Sequence, residues 1–268
     1  MKRIFVIGEK LISSSDKVKD IMRRKDRDEL LALAERQVNA GASALDINAA
    51  MLMEREEETI FWATETVLSR HEVMVCVDTP RQDLLKKAGE RFGERVILNS
   101  IPADRASIEN ISEVAGENGA SVIIILKNSN GIPPDPEGRL ELAKASADTL
   151  EKMKVAPERV YFDPVATSIG TSSEGAAIFL RAVSLIKSEL PGYKTVGGLS
   201  NVSFGLPMRQ LLNSVFLAMA VASGIDAVIC DPSNRRIWET LRATEAAAGM
   251  DPGCSRLIRY YRENRLRD

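Results

Sequence analysis

Eight times along the sequence, a short apolar run rich in β-branched residues is followed by a turn and a segment of helical period. The runs are nearly continuous in apolar residues, as is typical of parallel strands buried on both faces. They span residues 4–9, 44–49, 73–79, 96–101, 121–128, 160–165, 195–201 and 227–233. Eight such units in 268 residues predict an α/β fold, a closed (β/α)8 TIM barrel forming one domain over residues 1–268.

A doubly wound parallel sheet is the main alternative to the barrel. That fold usually carries a glycine-rich phosphate-binding loop directly after its first strand. Residues 4–16, IFVIGEKLISSSD, contain neither the GxGxxG spacing nor a Walker-type spacing. The sequence therefore favours the barrel over the doubly wound sheet.

The composition excludes several classes of function. Lys and Arg number 36 against 38 Asp and Glu, so the net charge of -2 provides no general attraction to nucleic acid. The three cysteines form no CxxC pair, which argues against a disulfide framework and a thiolate zinc site. His71 is the one histidine, in a predicted loop, and no metal ligand is assigned. No apolar run is long enough for a signal sequence or membrane span, so we expect a cytoplasmic protein without membrane contact.

Polar side chains end most of the predicted strands. In a (β/α)8 barrel, this carboxyl-terminal edge is where active sites lie. The residues there are Glu9, Asp46, Asn48, Asp78, Asn99, Asn128, Asp163, Asn201 and Asp231. Because side chains alternate along a strand, the residues two or four positions before some of them should line the barrel interior beneath the mouth. These interior residues are Met74, Cys76, Ile97, Tyr161 and Leu199.

Each of these polar residues also has an ordinary structural explanation, since Asp and Asn are favoured at helix N-caps and in turns. Asp231, followed by Pro-Ser-Asn, fits a turn best. A whole ring of carboxylates and amides with few cations, however, predicts a binding site. Such a ring suits either a hard cation or a flat heterocycle with adjacent N–H donors, such as a pterin. The spacing leaves both possibilities open.

Longer motifs bear on the choice between a hard cation and a pterin as the ligand. The strongest is GGLSNVSFGLPMRQLLNSVFLAMAVASGIDAVICDP at 197–232. Shorter blocks are IGEK at 7–10, GASALDIN at 41–48, VDT at 77–79, LNS at 98–100, NGIP at 130–133 and YFDP at 161–164. In order and spacing, the chain resembles the pterin-binding methyltransferases over essentially its whole length. These include methyltetrahydrofolate:corrinoid protein methyltransferases, methylcorrinoid:tetrahydrofolate methyltransferases and the folate module of cobalamin-dependent methionine synthase.

The resemblance implies a barrel like that of dihydropteroate synthase and assigns roles to individual residues. Asp78, Asn99 and Asp163 would hold the pterin, and Asn201 would lie near N5 and the transferred methyl group. Asn201, Asp78 and Asp163 are thus the expected catalytic residues. The remaining expected binding residues are Gly198, Ser200 and Arg209, together with Asp46, Asn48 and Asn128 from the strand ends. Two departures are GEKLI at 8–12, where the family has GERIN, and Phe204, where the acetogen enzymes have a polar residue.

The implied reaction is methyl transfer between N5 of tetrahydrofolate and the cobalt of a corrinoid, in either direction. Tetrahydrofolate or 5-methyltetrahydrofolate would be the substrate. The sequence contains no Asp-x-His-x-x-Gly cobalamin motif, so a separate corrinoid protein should dock over the barrel mouth. The resemblance also implies a homodimer.

Three other functions remain as alternatives. A dihydropteroate synthase should carry an N-terminal Asp-Ser-Phe loop and a late anion site containing histidine, and this sequence supplies neither. A non-catalytic folate-binding barrel would bind the ligand without transfer. A metal-dependent aldolase or hydrolase would lose its activity on chelation.

Overall fold

A computed structural model describes residues 3–264, and within that range the chain forms a closed barrel. Eight parallel strands are hydrogen-bonded in chain order, and the last pairs with the first. The predicted (β/α)8 barrel is therefore confirmed. The strands are β1 (Phe5–Ile12), β2 (Ala44–Asn48), β3 (Met74–Asp78), β4 (Val96–Pro102), β5 (Ser121–Ile125), β6 (Val160–Asp163), β7 (Lys194–Gly198) and β8 (Ala227–Cys230).

Helices surround the strands. They are α1 (Asp16–Arg24), α2 (Arg27–Asn39), α3 (Glu56–Leu68), α4 (Gln82–Phe92), α5 (Arg105–Glu117), α6 (Pro136–Lys152), α7 (Gly175–Glu189), α8 (Arg209–Ala222), α9 (Arg235–Ala247) and α10 (Ser255–Asn264). The sequence periodicity did not predict α1, a second helix between β1 and β2. None of the helices within residues 3–264 is long and apolar enough to cross a membrane.

Helix α2 shows how local sequence sets the element bounds. Asp26 lies at its N-cap, where its side chain accepts a 3.0 Å hydrogen bond from the N–H of Glu29. Leu30 and Ala34 are fully buried on the face toward the barrel. Gly41 follows the helix with a φ of +103°, a conformation that glycine adopts without steric cost.

One buried residue from each strand fills the barrel interior. The eight are Ile7, Ala44, Cys76, Ile97, Ile123, Tyr161, Val196 and Ala227. This layer confirms the predicted interior positions of Cys76, Ile97 and Tyr161, and Met74 packs against it.

The interior position predicted for Leu199 is wrong. Strand β7 ends at Gly198, and Leu199 begins a short 3-10 turn that ends at Asn201. Its side chain packs outside the barrel in the cluster that contains Val202 and Phe216. The alternation of an extended strand does not continue through a helical turn.

Four strands end three residues away from where the sequence indicates, and two of them, β7 and β8, end early at Gly198 and Cys230 rather than at 201 and 233. The pairing of β1 with β2 shifts register between Gly8 and Leu11, and β1 continues to Ile12 rather than ending at residue 9. Strand β5 ends at Ile125, although its apolar run predicts a strand as far as residue 128. These differences determine which side chains reach the barrel mouth.

Candidate functional site

A cavity of about 410 Å³ lies at the carboxyl ends of the strands, where the sequence predicts the site. We call it the central cavity. The predicted site residues that line it are Asp46, Asn48, Asp78, Asn99, Asp163, Gly198 and Asn201. They come from β2, β3, β4 and β6 and from the end of β7, so strands distant in sequence bring these polar groups together.

Two carboxylate–amide pairs form one wall of the central cavity. Asn48 Nδ2 donates to Asp78 Oδ2 at 2.9 Å, and Asn99 Nδ2 donates to Asp46 Oδ1 at 3.3 Å. Asn48 Oδ1 accepts from the N–H of Ala50 at 3.0 Å. Because that bond fixes the amide orientation, Asn48 presents its nitrogen to Asp78.

Burial changes the protonation of this wall. The exposed fraction of Asp46 is 4%, and its desolvation, followed by the charge of Asp78, raises the pKa of Asp46 well above its ordinary value. Desolvation also raises the pKa of Asp78, while the hydrogen bond from Asn48 opposes that shift. Desolvation therefore favours the protonated form of both carboxyl groups, and a carboxyl group that keeps its proton donates a hydrogen bond where a carboxylate accepts one.

Asp163, at the end of β6, is the third acidic group. Desolvation raises the pKa of Asp163 to about 6, against the smaller effects of a backbone hydrogen bond from Val165 and the positive charge of Arg139. Its Oδ1 accepts from the N–H of Val165 at 2.8 Å. Within residues 3–264 its Oδ2 has no hydrogen-bond partner, which leaves that oxygen to a ligand.

A buried arginine holds the backbone that follows Asp163. Arg139 of α6 has an exposed fraction of 3%, and its Nη1 donates to the carbonyl oxygens of Pro164 at 2.6 Å and Val165 at 2.9 Å. Its Nε donates to the carbonyl of Pro133 at 3.1 Å. Sequence reasoning missed Arg139, since a charged residue near a helix start usually lies in solvent.

Asn201 differs from the amides of β2 and β4 because its side chain has no hydrogen-bond partner within the described residues 3–264. It ends the 3-10 turn after β7 and is exposed at the central cavity. A Cβ atom on Gly198 would lie 3.2 Å from Asn201 Nδ2. The glycine therefore leaves the space in which this amide can rotate and offer either its N–H or its carbonyl to a ligand.

Ser200 and Arg209 lie beside the central cavity and line a neighbouring one of about 290 Å³. Ser200 Oγ donates to Glu9 Oε1 at 2.6 Å, and Arg209 Nη2 donates to the carbonyl of Ser200 at 3.0 Å. Arg209 Nε also donates to Ser203 Oγ at 3.2 Å. In this structure Arg209 supports the turn that carries Asn201.

Asn128 does not line the central cavity, contrary to the expectation from sequence. Because β5 ends at Ile125, Asn128 lies in a loop where it forms an isolated bridge with Gly131. Its Oδ1 accepts from the N–H of Asn130 at 2.9 Å, so the side chain closes that loop.

The family model for pterin binding enzymes matches residues 11–231. The chain belongs to the family of pterin-binding enzymes. The matched range begins in β1 and extends just beyond β8, so it includes every residue that lines the central cavity except Glu9.

Individual relatives agree with this assignment. The chain is 26% identical over 265 residues to a methylcorrinoid:tetrahydrofolate methyltransferase of Eubacterium limosum, with 98% of each chain covered. A dihydropteroate synthase of Yersinia pestis has the same fold, with a TM-score of 0.67 at 17% identity over 92% of this chain and 93% of that one. A dihydropteroate synthase of Clostridium difficile has a TM-score of 0.70 at 18% identity over 92% and 97%. These two structures show the fold of the pterin-binding enzyme.

Other residues of this pterin-binding enzyme also line the central cavity. Glu9, among the polar strand ends but outside the expected binding set, contributes a carboxylate, and burial raises the pKa of Glu9. Ser100 directly follows Asn99. Ser14 lies in the turn after β1 and Met51 in the short 3-10 helix after β2, where no sequence pattern indicates which side chains point toward the mouth. Within residues 3–264, no group of three His, Cys, Asp or Glu side chains is arranged to hold a metal ion.

Proposed function

We propose that this chain catalyses methyl transfer between N5 of tetrahydrofolate and the cobalt of a corrinoid carried by another protein. The observation that carries the proposal is the central cavity, where Asp163 and the two carboxylate–amide pairs lie close to the unpartnered amide of Asn201. The 26% identity over nearly the whole chain to a methylcorrinoid:tetrahydrofolate methyltransferase supports the same reaction.

The residues present fit a pterin ring. A pterin has adjacent N–H donors in its ring and exocyclic amine, and a carboxylate with a free oxygen accepts two parallel hydrogen bonds from such a group. Asp163 provides that carboxylate, while Asp78 and Asn99 add acceptors and a donor for the rest of the heterocycle. The volume of about 410 Å³ lies within the range of small-molecule sites.

Asn201 is the residue we place at N5. When a methyl group leaves N5, negative charge develops on that nitrogen, and a hydrogen-bond donor there stabilises the transition state more than the ground state. The side chain of Asn201 is free to rotate, so its amide can donate to N5 during departure or accept from N5–H in the reverse reaction. The same residue therefore serves both directions.

The acidic groups of the central cavity can bind and release protons beside the ring. A group with a pKa of about 6 changes protonation near neutral pH, so Asp163 can adjust its charge to that of the bound pterin. Desolvation also raises the pKa of Asp78, which lies on β3, three strands from β6, and its Oδ2 accepts a hydrogen bond from Asn48. The chain contributes orientation and proton transfer, whereas the corrinoid supplies the methyl-exchanging cobalt.

The corrinoid belongs to a partner in this proposal. The sequence has one histidine, His71, which lies after α3 at the end of the barrel remote from the mouth, so it cannot ligate cobalt there. Exposed apolar residues at the mouth suit a protein contact: Met51 and Met53 after β2, and Phe204 and Met208 after β7. We further propose that the chain acts as a cytoplasmic homodimer.

An anaerobic transfer assay tests the proposal. Purified protein is incubated with tetrahydrofolate and methylcobalamin, and in the reverse direction, alone and with a corrinoid protein of a demethylating system. Asn201→Ala should reduce transfer about a hundredfold, as expected for loss of a transition-state donor, with tetrahydrofolate affinity nearly unchanged. Asp163→Asn should weaken tetrahydrofolate binding itself. Asn130→Ala, which removes an exposed amide outside the cavity, is the matched control and should leave both unchanged.

Two results would contradict the proposal. Absence of calorimetric tetrahydrofolate binding would show that the pterin site is assigned wrongly. Binding without transfer in the presence of the corrinoid protein would leave a folate-binding barrel, and pteroate formation from the dihydropteroate synthase substrates would favour that enzyme instead.

A further inference from the structure

A second cavity, of about 440 Å³, opens beside the barrel mouth between the end of β1 and helices α1 and α2. We call it the lateral cavity. Glu9 and Ile12 line both the lateral and the central cavity, so the two are neighbours across the end of β1. A chain attached to a ligand in the central cavity would have to pass only these two residues to reach the lateral cavity.

The lateral cavity differs from the central one in charge. Lys10, Lys17 and Arg36 line it, whereas the central cavity has no cationic lining residue in the described range. Lys10 is committed to Asp231 by a 2.9 Å salt bridge. Lys17 and Arg36 are exposed, and within residues 3–264 their side chains have no acidic partner. Two unpaired cations thus lie on different helices of one cavity, α1 and α2.

The start of helix α1 adds donors to the same cavity. Ser15, at the N-cap, lines the cavity and makes no side-chain capping hydrogen bond. The backbone N–H groups of Asp16, Lys17 and Val18 have no acceptor within residues 3–264. Free N–H groups at a helix N-terminus attract anions. The negative charge of Asp16, in the first turn of α1, offsets part of this positive potential.

A buried amide adds a hydrogen-bond donor beside the lateral cavity. Gln37 of α2 lines the lateral cavity with an exposed fraction of 1%. Its Oε1 accepts from the N–H of Lys10 at 3.0 Å, but its Nε2 is buried without any hydrogen-bond partner. An unsatisfied buried donor is costly, so an acceptor that reached Gln37 Nε2 from the lateral cavity would gain a hydrogen bond.

We infer that the lateral cavity binds the glutamyl carboxylates of the folate tail, with Lys17 and Arg36 as their cationic partners. The inference rests on the proposed function, because it takes the pterin ring to lie in the central cavity. In folates, the aminobenzoyl-glutamate tail leaves one edge of the pterin and ends in carboxylates, and further glutamates add more of them. Glu9 lies at the boundary between the two cavities, where its Oε1 accepts a hydrogen bond from Ser200 Oγ at 2.6 Å. The lateral cavity would thus make the enzyme selective for polyglutamylated folates.

Anaerobic calorimetry on the full chain with three ligands tests this inference. The ligands are 6-methyltetrahydropterin, which lacks the tail, tetrahydrofolate and its triglutamate. The test variant is Lys17→Gln/Arg36→Gln. The matched control is Lys152→Gln/Arg181→Gln, which removes the same charge from exposed, unpaired positions away from both cavities. Inorganic phosphate serves as a competing anion.

The test variant should bind the triglutamate about tenfold more weakly than the wild type at low ionic strength, and 150 mM salt should reduce this difference to about threefold. It should bind 6-methyltetrahydropterin with unchanged affinity. The control variant should match the wild type for all three ligands.

The inference is overturned if the wild type binds the pterin but the test variant binds the triglutamate as tightly as the wild type. A site that takes phosphate and shows no preference for the triglutamate would overturn it equally. If the wild type does not bind even the pterin without a tail, the proposed function itself fails, and the inference fails with it.

Discussion

Arg139 donates a 2.9 Å hydrogen bond to the carbonyl oxygen of Val165, a residue that holds its backbone at a φ of +65°. A β-branched residue is strained in that region, so surrounding contacts must hold it there. The N–H of Val165 in turn donates to Asp163 at 2.8 Å. Arg139 of α6 therefore holds the backbone of Val165, and Val165 in turn holds the carboxyl group of Asp163 at the central cavity.

Arg139→Lys and Arg139→Met test whether Arg139 positions Asp163. Neither replacement can span the three carbonyls that the guanidinium bonds, so we expect the free energy of unfolding to fall by about 2–4 kcal/mol in both. The charge of Arg139 lowers the pKa of Asp163. In Arg139→Met the pH midpoint of pterin binding should therefore move upward, and in Arg139→Lys less so. Equal pH profiles, measured by calorimetry between pH 5 and 8, would show a purely structural role.

Asp163→Asn should raise the stability of the protein above pH 7 and weaken its binding of tetrahydrofolate. The ordinary pKa of this carboxyl is 3.8 and the folded-state pKa is about 6, so the folded state binds more protons between these values. Stability conferred by Asp163 is then fully present below about pH 4 and is lost as the pH rises through 6. The asparagine variant should be more stable than the wild type by about 1–3 kcal/mol above pH 7. Urea unfolding at pH 4 and pH 8 measures the difference.

The outcome at low pH provides the internal control for Asp163→Asn. Below pH 4 both proteins carry a neutral group at this position, so their free energies of unfolding should agree within about 0.5 kcal/mol. The variant would at the same time bind tetrahydrofolate more weakly. A stability difference that does not change with pH would mean that the carboxyl is ionised normally in the folded protein.

The sequence predicted those site residues that depend only on strand alternation. Asp78, Asn99 and Asp163 stand two residues after Cys76, Ile97 and Tyr161, which do fill the barrel interior. Buried parallel strands are marked by continuous apolar runs, so the polar residue that ends each run is placed at the mouth by geometry alone.

The sequence could not predict features that depend on contacts between distant segments. Asn128 continues an apolar run, but the hydrogen bonds of β5 with its neighbours stop at Ile125. Leu199 follows a glycine pair, and nothing local indicates that the chain turns helical there. Helix α1 is a different case: it is short and mostly charged and was overlooked, although Val18, Ile21 and Met22 stand at i, i+3 and i+4 on one buried face. The lateral cavity beside it was therefore not foreseen.

Gly198→Ala should impair transfer without impairing binding. Its backbone φ of -80° is accessible to alanine, so the substitution adds no backbone strain. The new methyl group, however, would lie 3.2 Å from Asn201 Nδ2 and restrict the rotation of that amide. We expect the transfer rate to fall about tenfold, with the tetrahydrofolate dissociation constant within about twofold of the wild type.

Two other glycines provide the comparison for Gly198→Ala. A Cβ on Gly116 of α5 meets nothing within 4 Å, so Gly116→Ala should leave transfer unchanged and stabilise the helix by about 0.5–1 kcal/mol. A Cβ on Gly197 would lie 2.5 Å from the ring of Phe179, so Gly197→Ala should destabilise the barrel by about 1–3 kcal/mol. A Gly198→Ala protein with a normal transfer rate would argue against a moving Asn201.

Phe204→Asp should disrupt the docking of the corrinoid protein while preserving the site itself. The ring of Phe204 is 71% exposed, and its backbone carbonyl still accepts from Ser168 Oγ at 2.7 Å whatever the side chain. Transfer with free methylcobalamin should therefore stay within about twofold of the wild type. Transfer with the corrinoid protein should fall about thirtyfold, as is typical when a central apolar residue of an interface is replaced by a charge.

Met153→Asp, at the end of α6 and remote from the mouth, is the control, because its side chain is 40% exposed and should affect neither reaction. Equal losses with both methyl donors would place Phe204 in the site rather than in the interface.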